Sequence, residues 1–214
     1  MSELLTDDEK VEIIKKWWRD NGMAVIVGIL IGLGAIFGWR AWVGHQDRVR
    51  ENANLTFEEL LVFLNREDEE SAQSAEKAAK RLTKKYKRTP YAALTHLAIA
   101  QMRLDEDDPK GAIAALRTAA KQAPAPGLSQ LAALRLARLL IAQQDFNSAT
   151  KVIDRYDDGG AFSADFTALR GDIAAAKNRP DEARAAWQQA LDNGASGLHL
   201  LELKLDNLSL AADS

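Results

Sequence analysis

Residues 23–39 read MAVIVGILIGLGAIFGW, an apolar run with no charged side chain. With Asn21 and Gly22 the uncharged stretch reaches nineteen residues, about 29 Å of helix at 1.5 Å per residue, which is enough to cross a hydrocarbon core. Trp17 and Trp18 precede it, and Trp39 and Trp42 close it, at the two levels where indole rings settle in a bilayer interface. Arg19 and Arg40 stand at its ends, each able to reach the headgroups. The run predicts a membrane-crossing helix, and every functional reading depends on the side where the remaining residues lie.

The arm before the run carries Thr6-Asp7-Asp8-Glu9, a capping box that should open a helix. Val11, Ile14 and Trp18 then share a face, which reads as an interfacial lead-in to the span. The apolar run exceeds a secretory h-region, the preceding residues are rich in acids, and no A-x-A-like site follows Trp39; an uncleaved anchor is expected. Four Lys/Arg precede the span, and Arg40, Arg48 and Arg50 follow it, a slim bias toward an N-terminus held inside. Within the span Ala24, Gly28, Gly32 and Ala35 share one face, with Gly34 and Gly38 beside it. Small residues at this spacing let a second helix approach closely, although glycine is also simply common in membrane helices.

Beyond the span about 170 residues remain, room for one domain with a core. A net charge of −3 gives no global basic field for nucleic acid. Cysteine is absent, which removes disulfides, thiolate nucleophiles and Cys-ligated metals. Few prolines and abundant alanine and leucine point to helices.

After a polar helix through Gln46–Asn54, the chain repeats itself. Ala78, Ala112, Ala149 and Ala183 recur at spacings of 34, 37 and 34, each followed four residues later by Leu82, Leu116, Ile153 and Trp187. Thr89-Pro90 opens one helix and Asp108-Pro109 the next, and Ala123-Pro124-Ala125-Pro126-Gly127 closes that unit. The pattern is tetratricopeptide-like. Ile99 and Ala100 sit at the tight-packing pair of a first helix, with Leu136, Ala137 and Gly171 equivalent in later units. The unit around Leu55–Lys87 matches only in its second helix, and the early tryptophan of the pattern is absent. Leu198–Leu210 looks like a terminal cap. The predicted fold is all-α, a transmembrane helix followed by a tetratricopeptide-like hairpin solenoid. Its divisions are an arm over 1–22, the span over 23–43, a linker helix over 44–54 and repeats over 55–214.

Chemistry leaves little trace. His45, His96 and His199 have no partner at metal or triad spacing. Asp107-Asp108, Asp157-Asp158 and Asp181-Glu182 fall at turns or helix starts, where acids complement the helix dipole. Glu67–Glu70 and the basic series Lys77, Lys80, Arg81, Lys84, Lys85, Lys87 and Arg88 read most simply as solvated faces; the basic series could also meet anionic lipid or an acidic partner. No glycine-rich phosphate loop is present. No catalytic constellation, cofactor site or small-molecule site is expected.

Asp20-Asn21-Gly22, the glycine-patterned span, then Gly38-Trp39-Arg40-Ala41-Trp42 and Gln46, joined to degenerate tetratricopeptide hairpins, resemble the YfgM family over essentially the whole chain. That family comprises ancillary subunits of the bacterial SecYEG translocon. The resemblance implies an inner-membrane anchor, a periplasmic repeat domain, and association with SecYEG and with the membrane-anchored, parvulin-type chaperone PpiD. The function so implied is a non-catalytic adaptor beside the translocon; an anchored scaffold for envelope assembly or division is the competing reading. Stacked hairpins line a concave surface with their first helices. Counted from Ala100, Ala137 and Gly171, that surface takes Leu94, Leu97 and Gln101; Leu131, Leu134 and Arg138; and Asp165, Ala168 and Asp172. The alternative places the leucines in the core and pairs Arg138 with Asp172.

The span generates a test. Gly28→Leu with Gly32→Leu should weaken membrane complexes while leaving insertion intact, and large apolar replacements at Ile26 and Leu33 should do little. Native gels of membranes solubilised in mild detergent report the difference; equal effects from both pairs would mean that lipid surrounds the helix.

Overall fold

The computed structural model describes residues 7–66 and 68–212. Thr6 of the expected capping box and Glu67 of the acidic run lie outside the described residues. Helix α1 covers Asp7–Leu64, α2 Glu69–Lys85, α3 Pro90–Asp105, α4 Pro109–Gln122 and α5 Pro126–Ala142. Then follow α6 (Phe146–Tyr156), α7 (Ser163–Ala176), α8 (Pro180–Asp192) and α9 (Leu198–Ala212). No strand occurs among the described residues. The all-α expectation holds. The chain divides into two compact units, Met1–Glu51 and Asn52–Ser214, with α1 running through the boundary.

In the first unit the apolar run is one uninterrupted helix, long and apolar enough to cross a membrane. Its large side chains point outward on every side: Leu30, Ile31, Ile36 and Phe37 are all more than half exposed. In water that surface would be costly at about 25 cal/mol per Å², so its natural surroundings are apolar. Gly22 lies against the Trp18 indole, and Asn21 Nδ2 donates to the Trp17 carbonyl at 3.1 Å. The Trp39 and Trp42 rings lie 5.3 Å apart at the other end.

The second unit is a stack of hairpins. Residues near the end of α1 line a groove with α2, α2 packs on α3, α3 pairs with α4, α5 with α6 and α7 with α8, and α9 closes the series. The repeat read from the sequence is the core of this stack. Ala78, Ala112, Ala149 and Ala183, with Leu82, Leu116, Ile153 and Trp187, are each at most 6% exposed. An alanine at one position lets two helix backbones close, and the large side chain one turn later fills the space the closure leaves. In the first helix of the last repeat the small residue is Gly171, where earlier units have Ala100 and Ala137. A Cβ there would stand 2.5 Å from Cδ1 and Nε1 of Trp187, so the indole lies directly on the α7 backbone. Trp187 Nε1 is held in place by the Ala168 carbonyl at 3.2 Å and Asp172 Oδ1 at 2.9 Å.

The turns repeat as strictly as the cores. Asp107, Gln144 and Asn178 follow α3, α5 and α7 with φ of 57°, 60° and 62°. After each, an amide reaches back to close the helix end: Asp108 N to Arg103 O at 2.7 Å, Asp145 N to Leu140 O at 2.9 Å, and Arg179 N to Ala174 O at 3.0 Å. This is the left-handed C-terminal cap that glycine usually supplies. Asp108 and Asp145 then cap the next helix through Gly111 N at 2.9 Å and Ser148 N at 3.1 Å. Four of the five prolines occupy a first helical turn. Among them Pro126, expected to help close a unit, opens α5 instead, since its fixed φ and missing N–H cost nothing there.

Two substitutions follow from this packing. Gly171→Ala should push the indole off its bed and lower stability by about 1–3 kcal/mol. Gln144→Gly should relieve the left-handed strain and raise stability by about 0.5–1 kcal/mol after the loss of chain entropy. Thermal melts followed by circular dichroism read both; a neutral Gly171→Ala would mean the indole is not seated on that backbone.

Candidate functional site

The first helices of two hairpins, α3 and α5, line a groove. Leu97, Ala100, Gln101 and Leu104 of α3 face Arg135, Arg138 and Leu139 of α5 across about 430 Å³, with Leu116 of α4 at the floor. Spacings of one turn along α3 (97, 101, 104) and α5 (135, 138, 139) put these side chains on the same side of each helix. Leu97, Ala100 and Leu116 are buried and make the floor apolar. Arg135 and Arg138 are exposed at the rim. Gln101 is turned by its own helix: Nε2 donates to Asp105 Oδ1 at 2.9 Å, leaving its carbonyl as an acceptor. An apolar floor with two guanidinium groups above it suits an apolar segment that carries carboxylates.

The expected groove residues separate into three fates. Leu97, Gln101 and Arg138 share the groove just described. Leu94 and Leu131 are partly buried against the main core, and Leu134 belongs to that core at 3% exposure. Asp165, Ala168 and Asp172 are covered by the chain itself. Ala164 and Ala168 pack with Leu201, Leu205 and Leu208 of α9. Asp165 is buried and accepts from Ser196 N at 3.1 Å and Ser196 Oγ at 3.3 Å. Asp172 Oδ1 takes Lys204 Nζ at 2.6 Å, with the ammonium 5.5 Å from the Trp187 ring centroid. The third segment of the concave surface is therefore already filled, by α9.

The alternative pairing of Arg138 with Asp172 is not what forms. The acid beside Arg138 is Asp165, at 3.9 Å, and the cation beside Asp172 is Lys204. Sequence reasoning did not single out Arg135, Leu104 or Leu139. All three lie three or four residues from a position that it did name, so the one-turn rule could have reached them. Asp157 and Asp158 do lie at a turn, directly after α6, and they also hold neighbouring helices. Arg170 donates to Asp157 Oδ2 at 2.6 Å, and Gln130 Nε2 to Asp158 Oδ1 at 2.6 Å. Burial pushes the Asp157 carboxyl up, but the hydrogen bonds from Arg170, Ser163 and the Gly159 amide outweigh it and leave the group below its ordinary value.

On the span, a Cβ at Gly28 or Gly32 would meet nothing within 4 Å, and Ala24 and Ala35 are exposed. A second groove of about 270 Å³ lies where Leu60 and Leu64 of α1 face Ala75 and Ala79 of α2 and Met102 of α3. Among the described residues no group of three or more His, Asp or Glu is placed to hold a metal ion. His45 and His199 are exposed, whereas His96 is half-buried, and burial pushes its imidazole below the ordinary 6.5.

That shift sets a pH dependence. A group whose folded-state pKa is depressed favours its deprotonated form in the fold, so its contribution is complete above the unfolded value and declines as pH falls through the folded one. For His96 the decline begins below about 6.5. Wild-type melting temperature should fall between pH 7.5 and 5, and His96→Gln should flatten that part of the profile, as differential scanning calorimetry would show.

Similarity to known proteins runs the length of the chain. A tetratricopeptide repeat-like domain model matches residues 15–210. An Escherichia coli (strain K12) protein named ancillary SecYEG translocon subunit is 28% identical over 206 residues, covering 95% of this chain and 97% of that protein. Proteins of the same name from Haemophilus influenzae and Aggregatibacter actinomycetemcomitans are 26% and 29% identical over 209 residues, each covering 97% of this chain and 100% of the relative. No solved structure matches the chain significantly. With a domain match from residue 15 to residue 210 and full-length likeness to three such relatives, the chain belongs to the YfgM family of tetratricopeptide repeat-like proteins.

Proposed function

We propose that this chain is an ancillary subunit of the SecYEG translocon, anchored in a bacterial inner membrane by the apolar part of α1. Its N-terminus is cytoplasmic and its hairpin stack periplasmic. There it serves as a non-catalytic adaptor that holds a membrane-anchored periplasmic chaperone of the PpiD kind beside newly translocated chains. The observation that carries the translocon assignment is the end-to-end likeness to three proteins named as such subunits, span and repeats together. Two features support the adaptor reading. The groove between α3 and α5 remains open while its continuation along α7 is occupied by α9, so a partner has one segment left to take. The open face of Gly28 and Gly32 offers the membrane helix a second, separate contact.

Arg135 is the sharper probe of the groove. Reversing Arg138 would set a second acid beside the buried Asp165 and disturb the fold, whereas Arg135 has rim exposure and no such neighbour. Co-purification in mild detergent should recover translocon subunits and a periplasmic chaperone with the wild-type chain. Arg135→Glu should lose the chaperone by about tenfold or more while the melting temperature stays near wild type. Unchanged recovery would remove the groove from the adaptor mechanism, and recovery of division or envelope-assembly proteins alone would favour a scaffold. A reporter active only outside the cytoplasm, fused after Ser214, should be active; activity of a cytoplasm-only reporter at that position would overturn the topology.

A further inference from the structure

Residues 77–88 hold seven of the chain's 28 Lys and Arg and no acid, and none follows before Asp105. In a chain of net charge −3 this is a pronounced local excess. The helix arranges it. Ala75, Ala78 and Leu82 turn inward as the buried face of α2, and Lys77, Lys80, Arg81 and Lys84 recur at three- and four-residue steps along the opposite, exposed face. Lys87 and Arg88 extend the stripe past the helix end, also exposed. Lys80 pairs with Glu76, and Arg81 stands 3.8 Å from Glu59; among the described residues Lys77, Lys84, Lys87 and Arg88 have no ion pair.

Complementing the dipole at the C-terminus of α2 accounts for Lys84 and Lys85, in its last turn. It does not account for Lys77, Lys80 and Arg81, which lie further back than that effect reaches. An acidic protein is a poor match, because the stripe shows no exposed aromatic or large aliphatic anchor of the kind that carries protein interfaces. Five lysines among seven cations, spread along an exposed helix face with only Lys80 reaching the neighbouring groove, suit a diffuse negative field. The chain keeps such a field near. Residues 43–51 are the only chain between Trp42 and the unit that begins at Asn52, at most about 32 Å however the units are oriented. Within that unit α2 turns back toward α1, with Arg81 3.8 Å from Glu59 and with Leu60 and Leu64 lining one groove with Ala72 and Ala79, so its basic end returns toward the tethered end.

We propose that the basic stripe of α2 docks on the anionic headgroups of the bilayer in which α1 is anchored. The stripe is fixed to the hairpin by its buried side, so it lies on the surface by charge alone and inserts nothing. This rests on the anchor reading, and the test separates the two. The chain lacks cysteine, so Gln73→Cys on the exposed side of α2 gives a single site for a fluorophore. The full-length protein is reconstituted in vesicles of phosphatidylcholine, with or without phosphatidylglycerol, each containing a headgroup-linked quencher. Failure to float with either vesicle would mean that the anchor reading fails. In floating protein, quenching should be several-fold greater with phosphatidylglycerol. It should vanish near 1 M salt, where screening shortens to about 3 Å. Lys77→Gln, Lys80→Gln, Arg81→Gln and Lys84→Gln together should reduce the docked-to-free ratio by about tenfold or more, and arginine at the three lysine positions should preserve it. Should the glutamine variant lose helicity, the salt and lipid dependence of the unaltered stripe decides. Equal quenching in both vesicles overturns the proposal, as does charge-independent quenching. So does an outcome in which the glutamine variant keeps its lipid response but loses cross-links to an acidic protein in native membranes.

Discussion

Close approach of helix backbones is the constraint from which the second unit follows. Side chains as small as Ala100, Ala112, Ala137 and Ala149 are buried to 2% exposure or less, and each leaves room that a leucine, isoleucine or tryptophan from the next helix must fill. Cores of this kind tolerate little change in volume, because a void forfeits dispersion contacts and an added methylene has nowhere to go. The turns obey the same constraint. Helices that touch so closely must reverse within a few residues, and the left-handed residues at Asp107, Gln144 and Asn178 make the reversal without glycine. The span carries small residues too, but there a Cβ at Gly28 or Gly32 would meet nothing within 4 Å.

The parts of this architecture that repeat were the parts legible in the sequence. The apolar run needs only length and the absence of charge, and the alanine ladder needs only a period, so both could be read residue by residue. The groove was half legible. Leu97, Gln101 and Arg138 fall where counting one turn from the small residues puts them, while the same counting assigned Leu134 to a surface on which it does not lie. A first helix in the middle of a stack is covered on more than one side, and no period states how far the covering extends.

What could not be read was the placement of α9. Its hold on α7 consists of Lys204 on Asp172 and leucines against Ala164 and Ala168, helped by Ser196 of the preceding turn on Asp165, contacts some thirty or more residues apart in the chain and belonging to no repeat. An amphipathic terminal helix is expected as a cap, and α9 does pack on the last hairpin, but the repeat pattern does not state which side chains of α7 it covers. The same limit applies to Gln130 with Asp158 and to Arg170 with Asp157, polar contacts 28 and 13 residues apart that no apolar period announces.

The seat of α9 has a kinetic side. In a stack where each hairpin touches chiefly its neighbours, opening spreads inward from an end, one interface at a time. Here α9 is the terminal interface, and it rests on the very residues that continue the open groove. Release of α9 would lengthen that groove and, in the same step, bare the leucines at 201, 205 and 208. The lifetime of the α9 interface would therefore set, together, how long those leucines stay covered and how long Ala168 and Asp172 stay out of reach.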